Sequence, residues 1–84
     1  MDYTLPTIHI NGNSRESLAN GYSNAYRKLI EFRNAFNEID HNARNYYPQG
    51  PGAWTRACDQ RDVQRQRITD LMTYLEAHLI ELGE

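Results

Sequence analysis

Between Leu18 and Ile39 the apolar residues fall at Leu18, Tyr22, Ala25, Leu29, Phe32, Phe36 and Ile39, with spacings of 4, 3, 4, 3, 4 and 3. That alternation keeps one face of an α-helix apolar along its whole length, whereas a strand would need a period of two. Tyr26 and Ile30 widen the stripe beyond a strict two-helix seam, the pattern of a helix with several neighbours. Gly21 is a weak position inside it, costing about 1 kcal/mol relative to Ala. A stripe this broad must be covered, and what can cover it constrains the rest of the chain.

The residues before the stripe are short and differently patterned. Thr7-Ile8-His9-Ile10 alternates polar and β-branched residues, the period of a half-buried strand. Pro6 bounds it on one side and Asn11-Gly12 turns the chain on the other. Asn13 followed by Glu16 has the spacing of a capping box, so the first helix is expected over about residues 14–39. Residues 40–51 hold Pro48, Gly50 and Pro51 and read as a loop. A second helix over about 52–82 follows, with Pro51 suited to its first turn and Gly83 marking its end. Its apolar residues include Trp54, Ala57, Ile68, Leu71, Leu75 and Leu79, interrupted by the polar run Asp59–Arg67.

The expected fold is therefore mostly α: a short strand at 7–10, then a long antiparallel helical hairpin, in one domain over 1–84. Two helices cover each other on one side only, and domains of this size are marginal without a staple. The single cysteine, Cys58, excludes an intrachain disulfide. A two-fold dimer forming a four-helix bundle would close the open face. The lone strand adds a second reason, because its backbone has no ladder partner in its own chain and would find one across the two-fold axis. The dimer interface is expected to comprise Ile8, Ile10, Leu18, Tyr22, Leu29, Phe32, Phe36, Ile68, Leu71 and Leu75.

Catalytic and metal chemistry find little support. His9, His41 and His78 lack the i, i+4 spacing of a helical metal pair, and nothing places one beside Cys58. Gly50-Pro51-Gly52 is not a phosphate loop, since proline removes a donor. A non-enzymatic protein without metal or cofactor is expected. No stretch approaches a membrane span, and Met1–Ile10 lacks the basic and apolar regions of a signal peptide, so a cytoplasmic location is expected.

The distribution of charge says more than the net −2. Residues 44–67 carry five arginines against two aspartates, whereas residues 68–84 carry four acids and no Lys or Arg. Arg44, Tyr46, Tyr47, Trp54, Arg56, Arg61 and Arg65 form the candidate partner-binding set, being residue types that dominate interface hot spots. Tyr46 and Tyr47 can instead pack onto Trp54 and cap the hairpin end. Arg61 and Gln64 continue the heptad register of Trp54, Ala57, Ile68, Leu71 and Leu75. Either the helix rotates so that Val63 turns inward and Arg61 and Arg65 reach water, or a polar pocket faces an acidic partner. A Glu31–Arg61 ion pair across the hairpin would explain the position without a ligand. A small anionic ligand, such as a nucleotide signal, fits a polar seam of Lys28, Arg61 and Gln64. A DNA-binding regulator is the weakest reading, because the acidic end repels phosphate and no continuous basic stripe exists.

Ile8-His9-Ile10-Asn11-Gly12-Asn13-Ser14 and Asn42-Ala43-Arg44-Asn45-Tyr46-Tyr47-Pro48-Gln49-Gly50, followed by Ala53-Trp54, resemble small proteins of temperate phages and prophages. These have an IHINGxS opening, a helix, an NxRxYYPxG loop and a second helix. The chain is also similar to the small helical anti-quorum-sensing type of a Pseudomonas phage. That resemblance implies a two-helix homodimer in the host cytoplasm that binds host bacterial proteins, including a LuxR-type transcription activator and a pilus-assembly ATPase. The combined expectation is a phage-encoded homodimer that engages and modulates a host protein. The alternatives are an anti-defence nucleotide sponge and a small DNA-binding regulator.

Overall fold

Two helices carry the chain. The computed structural model describes residues 2–83, with α1 at Arg15–Asn37 and α2 at Ala53–Glu81. Between them lie two single-turn 3-10 helices, Ala43–Asn45 and Tyr47–Gln49. Ser14 is the N-cap of α1, its Oγ accepting from the Ser17 N–H at 3.1 Å. The cap thus sits one residue after the expected Asn13, because the preceding turn closes on His9. There the Gly12 N–H donates to the His9 carbonyl at 3.1 Å and the Asn11 N–H to His9 Nδ1 at 3.3 Å. Pro51 lies outside α2 rather than in its first turn. Gly52 is the N-cap with φ 84°, a left-handed conformation that glycine adopts without strain. Gly83, at φ 82°, follows the end of α2 as its position predicted.

The helices pack antiparallel. Tyr22 stacks on His78 with centroids 4.6 Å apart, the Tyr26 hydroxyl donates to Glu76 Oε1 at 2.6 Å, and Arg33 Nη1 reaches Met72 Sδ at 3.8 Å. Arg61 meets the last turn of α1, its Nη2 donating to the carbonyls of Phe36 at 3.1 Å and Ile39 at 3.0 Å. The expected register, with Arg61 and Gln64 opposite Lys28 and Glu31, is therefore displaced. Glu31 pairs instead with Lys28 on its own helix at 3.6 Å. The cause is the start of α2, which projects past the end of α1 and covers the connecting loop. Trp54 packs there on His41 at 4.6 Å and on Tyr46 at 5.7 Å.

No strand occurs among the described residues. Residues 7–10 form no ladder, since an extended segment needs a second strand and none lies among the described residues. Ile8 is half-buried, while Ile10 is 97% exposed. The N-terminal segment is fastened at Tyr3, whose ring meets Tyr74 edge-on at 5.3 Å.

The interior is thin. Ala19, Ala53, Ile68, Leu75, Leu82 and His78 are its buried residues. His78 was not expected there. Its ring lies between Tyr22 and Tyr74, and its Nδ1 donates to the Tyr74 carbonyl at 2.9 Å. Burial, with Tyr74 next to it, pushes the Tyr22 phenol above its ordinary pKa of 10.0. The hydrogen bond to Glu76, followed by burial, does the same for Tyr26.

The molecule measures 61 × 24 × 17 Å, with a radius of gyration of 18.3 Å. A compact domain of this length would have about 12 Å. It exposes 6475 Å², where a globular monomer of its mass would expose about 5,200 Å².

Arg61 is the polar clasp of the hairpin, donating to the Phe36 carbonyl in the last turn of α1 and to the Ile39 carbonyl just beyond it, and lying 5.1 Å from the Phe36 ring centroid. Arg61→Ala is expected to lower the unfolding free energy in urea by about 1.5–3 kcal/mol, the range for hydrogen bonds from a charged group. A variant as stable as the parent would contradict this role.

Candidate anion groove and aromatic loop end

The seven residues selected for partner binding divide into two groups. Tyr46, Trp54 and Arg61 are half-buried and hold the hairpin end together. Tyr46 and Trp54 share one aromatic cluster with His41, whose ring lies 5.9 Å from Tyr46. Arg44, Tyr47, Arg56 and Arg65 are exposed. Tyr47, at 68% exposure, is the loop aromatic presented to solvent, so the adjacent tyrosines have separate roles.

Arg65 belongs to a different place from the loop end. It lines an open groove of about 370 Å³ with Arg33, Asn37, Ile68 and Thr69. Two arginines, one from each helix, line it beside an asparagine and a threonine. Arg33 is half-buried, and its Nη2 donates to Asn34 Oδ1 at 3.3 Å. Among the described residues the ion pair found is Lys28–Glu31, so neither Arg33 nor Arg65 is neutralised by a described carboxylate. Planar guanidinium groups beside neutral donors are suited to phosphate and carboxylate oxygens.

Arg33 is the residue that sequence reasoning missed. It lies outside the basic run of 44–67, and only the register of the two helices brings it to Arg65. The signal in the sequence is its position one residue after Phe32 in the stripe, on the margin of the packed face. Lys28, expected in the polar seam, is instead exposed and tied to Glu31.

The expected dimer-interface residues also divide. Ile68 and Leu75 are buried within the hairpin, and Leu18 and Tyr22 are half-buried beside α2. Leu29, Phe32, Phe36 and Leu71 line an apolar groove of about 210 Å³, shared with Gln64 and Arg67 at its margin. Phe32 is 54% exposed and Leu71 48%. Ile10 projects from the N-terminal segment, and Ile8 is partly covered.

Among the described residues no three His, Cys, Asp or Glu side chains gather as a metal site. Among the described residues no helix is long and apolar enough to cross a membrane. No protein-family model, curated protein or solved structure matches the chain.

The exposed loop tyrosine and the packed aromatic cluster should separate in stability measurements. Tyr47→Ala is expected to change the unfolding free energy by no more than about 0.5 kcal/mol, as for exposed positions. Trp54→Ala should lower it by about 3 kcal/mol, the low end for truncating a packed aromatic, because the ring is half-buried. Equal effects in thermal or urea unfolding would contradict the division.

Proposed function

We propose that the protein is a phage-encoded, non-enzymatic homodimer that works in the bacterial cytoplasm by sequestering a phosphate-bearing small molecule of nucleotide type. The observation that carries this reading is the pairing of Arg33 and Arg65 across the hairpin, with Asn37 and Thr69 beside them and no described carboxylate as partner. A groove of about 370 Å³ is within the range of small-ligand sites. Such a protein acts on its host by lowering the free concentration of a signal, and it needs affinity rather than catalysis. The phage origin is supported by the Ile8–Ser14 and Asn42–Gly50 segments and their resemblance to temperate-phage proteins.

The uncovered face supports dimerisation. A second copy seated on Leu29, Phe32, Phe36 and Leu71 completes a four-helix bundle and removes an apolar groove from water. With the two-fold axis along the hairpins, the 7–10 segments of the two copies lie at one end and can pair as strands. The two arginine-rich ends then lie together at the other.

A second reading is favoured by the loop tip, where Tyr47, Arg44 and Arg56 are exposed on an otherwise packed end. There a host protein with an acidic surface would be engaged, as in the modulation of a transcription activator.

Calorimetry with a panel of linear and cyclic nucleotides separates the two. At least one should bind at micromolar concentration, and Arg33→Ala or Arg65→Ala should each weaken it about tenfold or more. Tyr47→Ala should leave that binding intact. No heat with any nucleotide up to high micromolar concentration would overturn sequestration. Purification of a stoichiometric host protein, lost with Tyr47→Ala and Arg44→Ala, would establish the second reading instead.

A further inference from the structure

A second cleft, of about 310 Å³, lies where the start of α2 overhangs the loop. It is lined by Phe36, His41, Tyr46, Gln60, Arg61 and Gln64 and shares no lining residue with the Arg33–Arg65 groove. Two nitrogens of these side chains, Arg61 Nε and His41 Nε2, are buried without a hydrogen-bond partner. Buried donors are nearly always satisfied, so a pair of orphans in the walls of one cleft calls for a ligand or ordered solvent.

Both groups are held in place by contacts that leave these nitrogens unused. The Arg61 Nη2 is spent on the Phe36 and Ile39 carbonyls, and the guanidinium lies against the Phe36 ring. His41 is packed on Trp54 at 4.6 Å and meets Tyr46 edge-on at 5.9 Å. No described carboxylate pairs with Arg61, so its charge is uncompensated in a half-buried setting. Gln60 and Gln64 are exposed at the margin and add amide donors.

We infer that this cleft binds an oxyanion, the phosphate or carboxylate group of a small molecule. The anion accepts from Arg61 Nε–H and from His41 Nε2–H, and the amides of Gln60 and Gln64 close over it. The site is independent of the Arg33–Arg65 groove, and either can exist without the other. Its charge-assisted donors are preorganised by the same contacts that hold the hairpin end.

The test is proton–nitrogen NMR of the full chain, titrated separately with inorganic phosphate and with acetate. The Arg61 Nε–H and His41 ring signals should move saturably with at least one of them, and the tighter of the two identifies the headgroup. His41→Phe retains an aromatic ring in the cluster and should weaken that binding about tenfold. Arg33→Ala combined with Arg65→Ala should leave it unchanged, which separates this site from the nucleotide groove. If His41→Phe loses helicity by circular dichroism, Gln60→Leu provides the same comparison at an exposed position outside the apolar groove. No saturable shift with either anion up to tens of millimolar would show that the cleft holds solvent alone and would overturn the inference. Binding undiminished by these substitutions, or abolished by the arginine pair, would overturn it as well.

Discussion

A hairpin of two helices is one layer thick, and one layer cannot enclose an apolar stripe as broad as that of α1. The seam between the helices covers one side, burying Ala19 of α1 against the α2 side, where Ile68, Leu75 and Leu82 are buried. The other side, through Leu29, Phe32 and Phe36, remains open beside Leu71. The long dimension of 61 Å and the large exposed area follow from that geometry. The 6475 Å² exposed exceeds the expectation for a globular monomer by more than the roughly 800 Å² per partner that a standard interface covers.

Within the single chain, specificity of register comes from polar and aromatic contacts more than from apolar bulk. Arg61 grips the end of α1, Tyr26 reaches Glu76, and Tyr22 stacks on the buried His78. These contacts explain why a polar residue continues the heptad register of α2. Position 61 faces the carbonyls of Phe36, in the last turn of α1, and of Ile39, just past its end, to which a leucine could donate nothing. The snorkelling, ligand-pocket and Glu31-pairing explanations therefore give way, for Arg61 Nη2, to helix capping.

The two helices and their approximate extents were legible because heptad spacing, the Pro- and Gly-rich connection and Gly83 are local signals, although Pro51 lies before α2 rather than in its first turn. Register was not. It depends on how far α2 overhangs the loop, which is decided by the packing of Trp54 on His41 and Tyr46. That overhang places Arg61 against Phe36 and Ile39 and brings Arg33, rather than Lys28, to the arginine side of α2. The expectation of a strand at 7–10 rested on alternation alone, and alternation cannot say where a pairing partner comes from. His78 shows the same limit from the other side: a histidine among leucines reads as a surface residue until two tyrosines are found around it. The functional consequence is that the arginine-tyrosine set of the sequence is divided into a clasp, a loop tip and a groove.

The proposed pairing of two hairpins in one symmetric assembly is read from the mass of the full chain at sedimentation equilibrium. A particle of twice 9.8 kDa is predicted, reduced to the monomer by charge placed at Phe32 or Leu71. A well-folded species of 9.8 kDa at high protein concentration would contradict it.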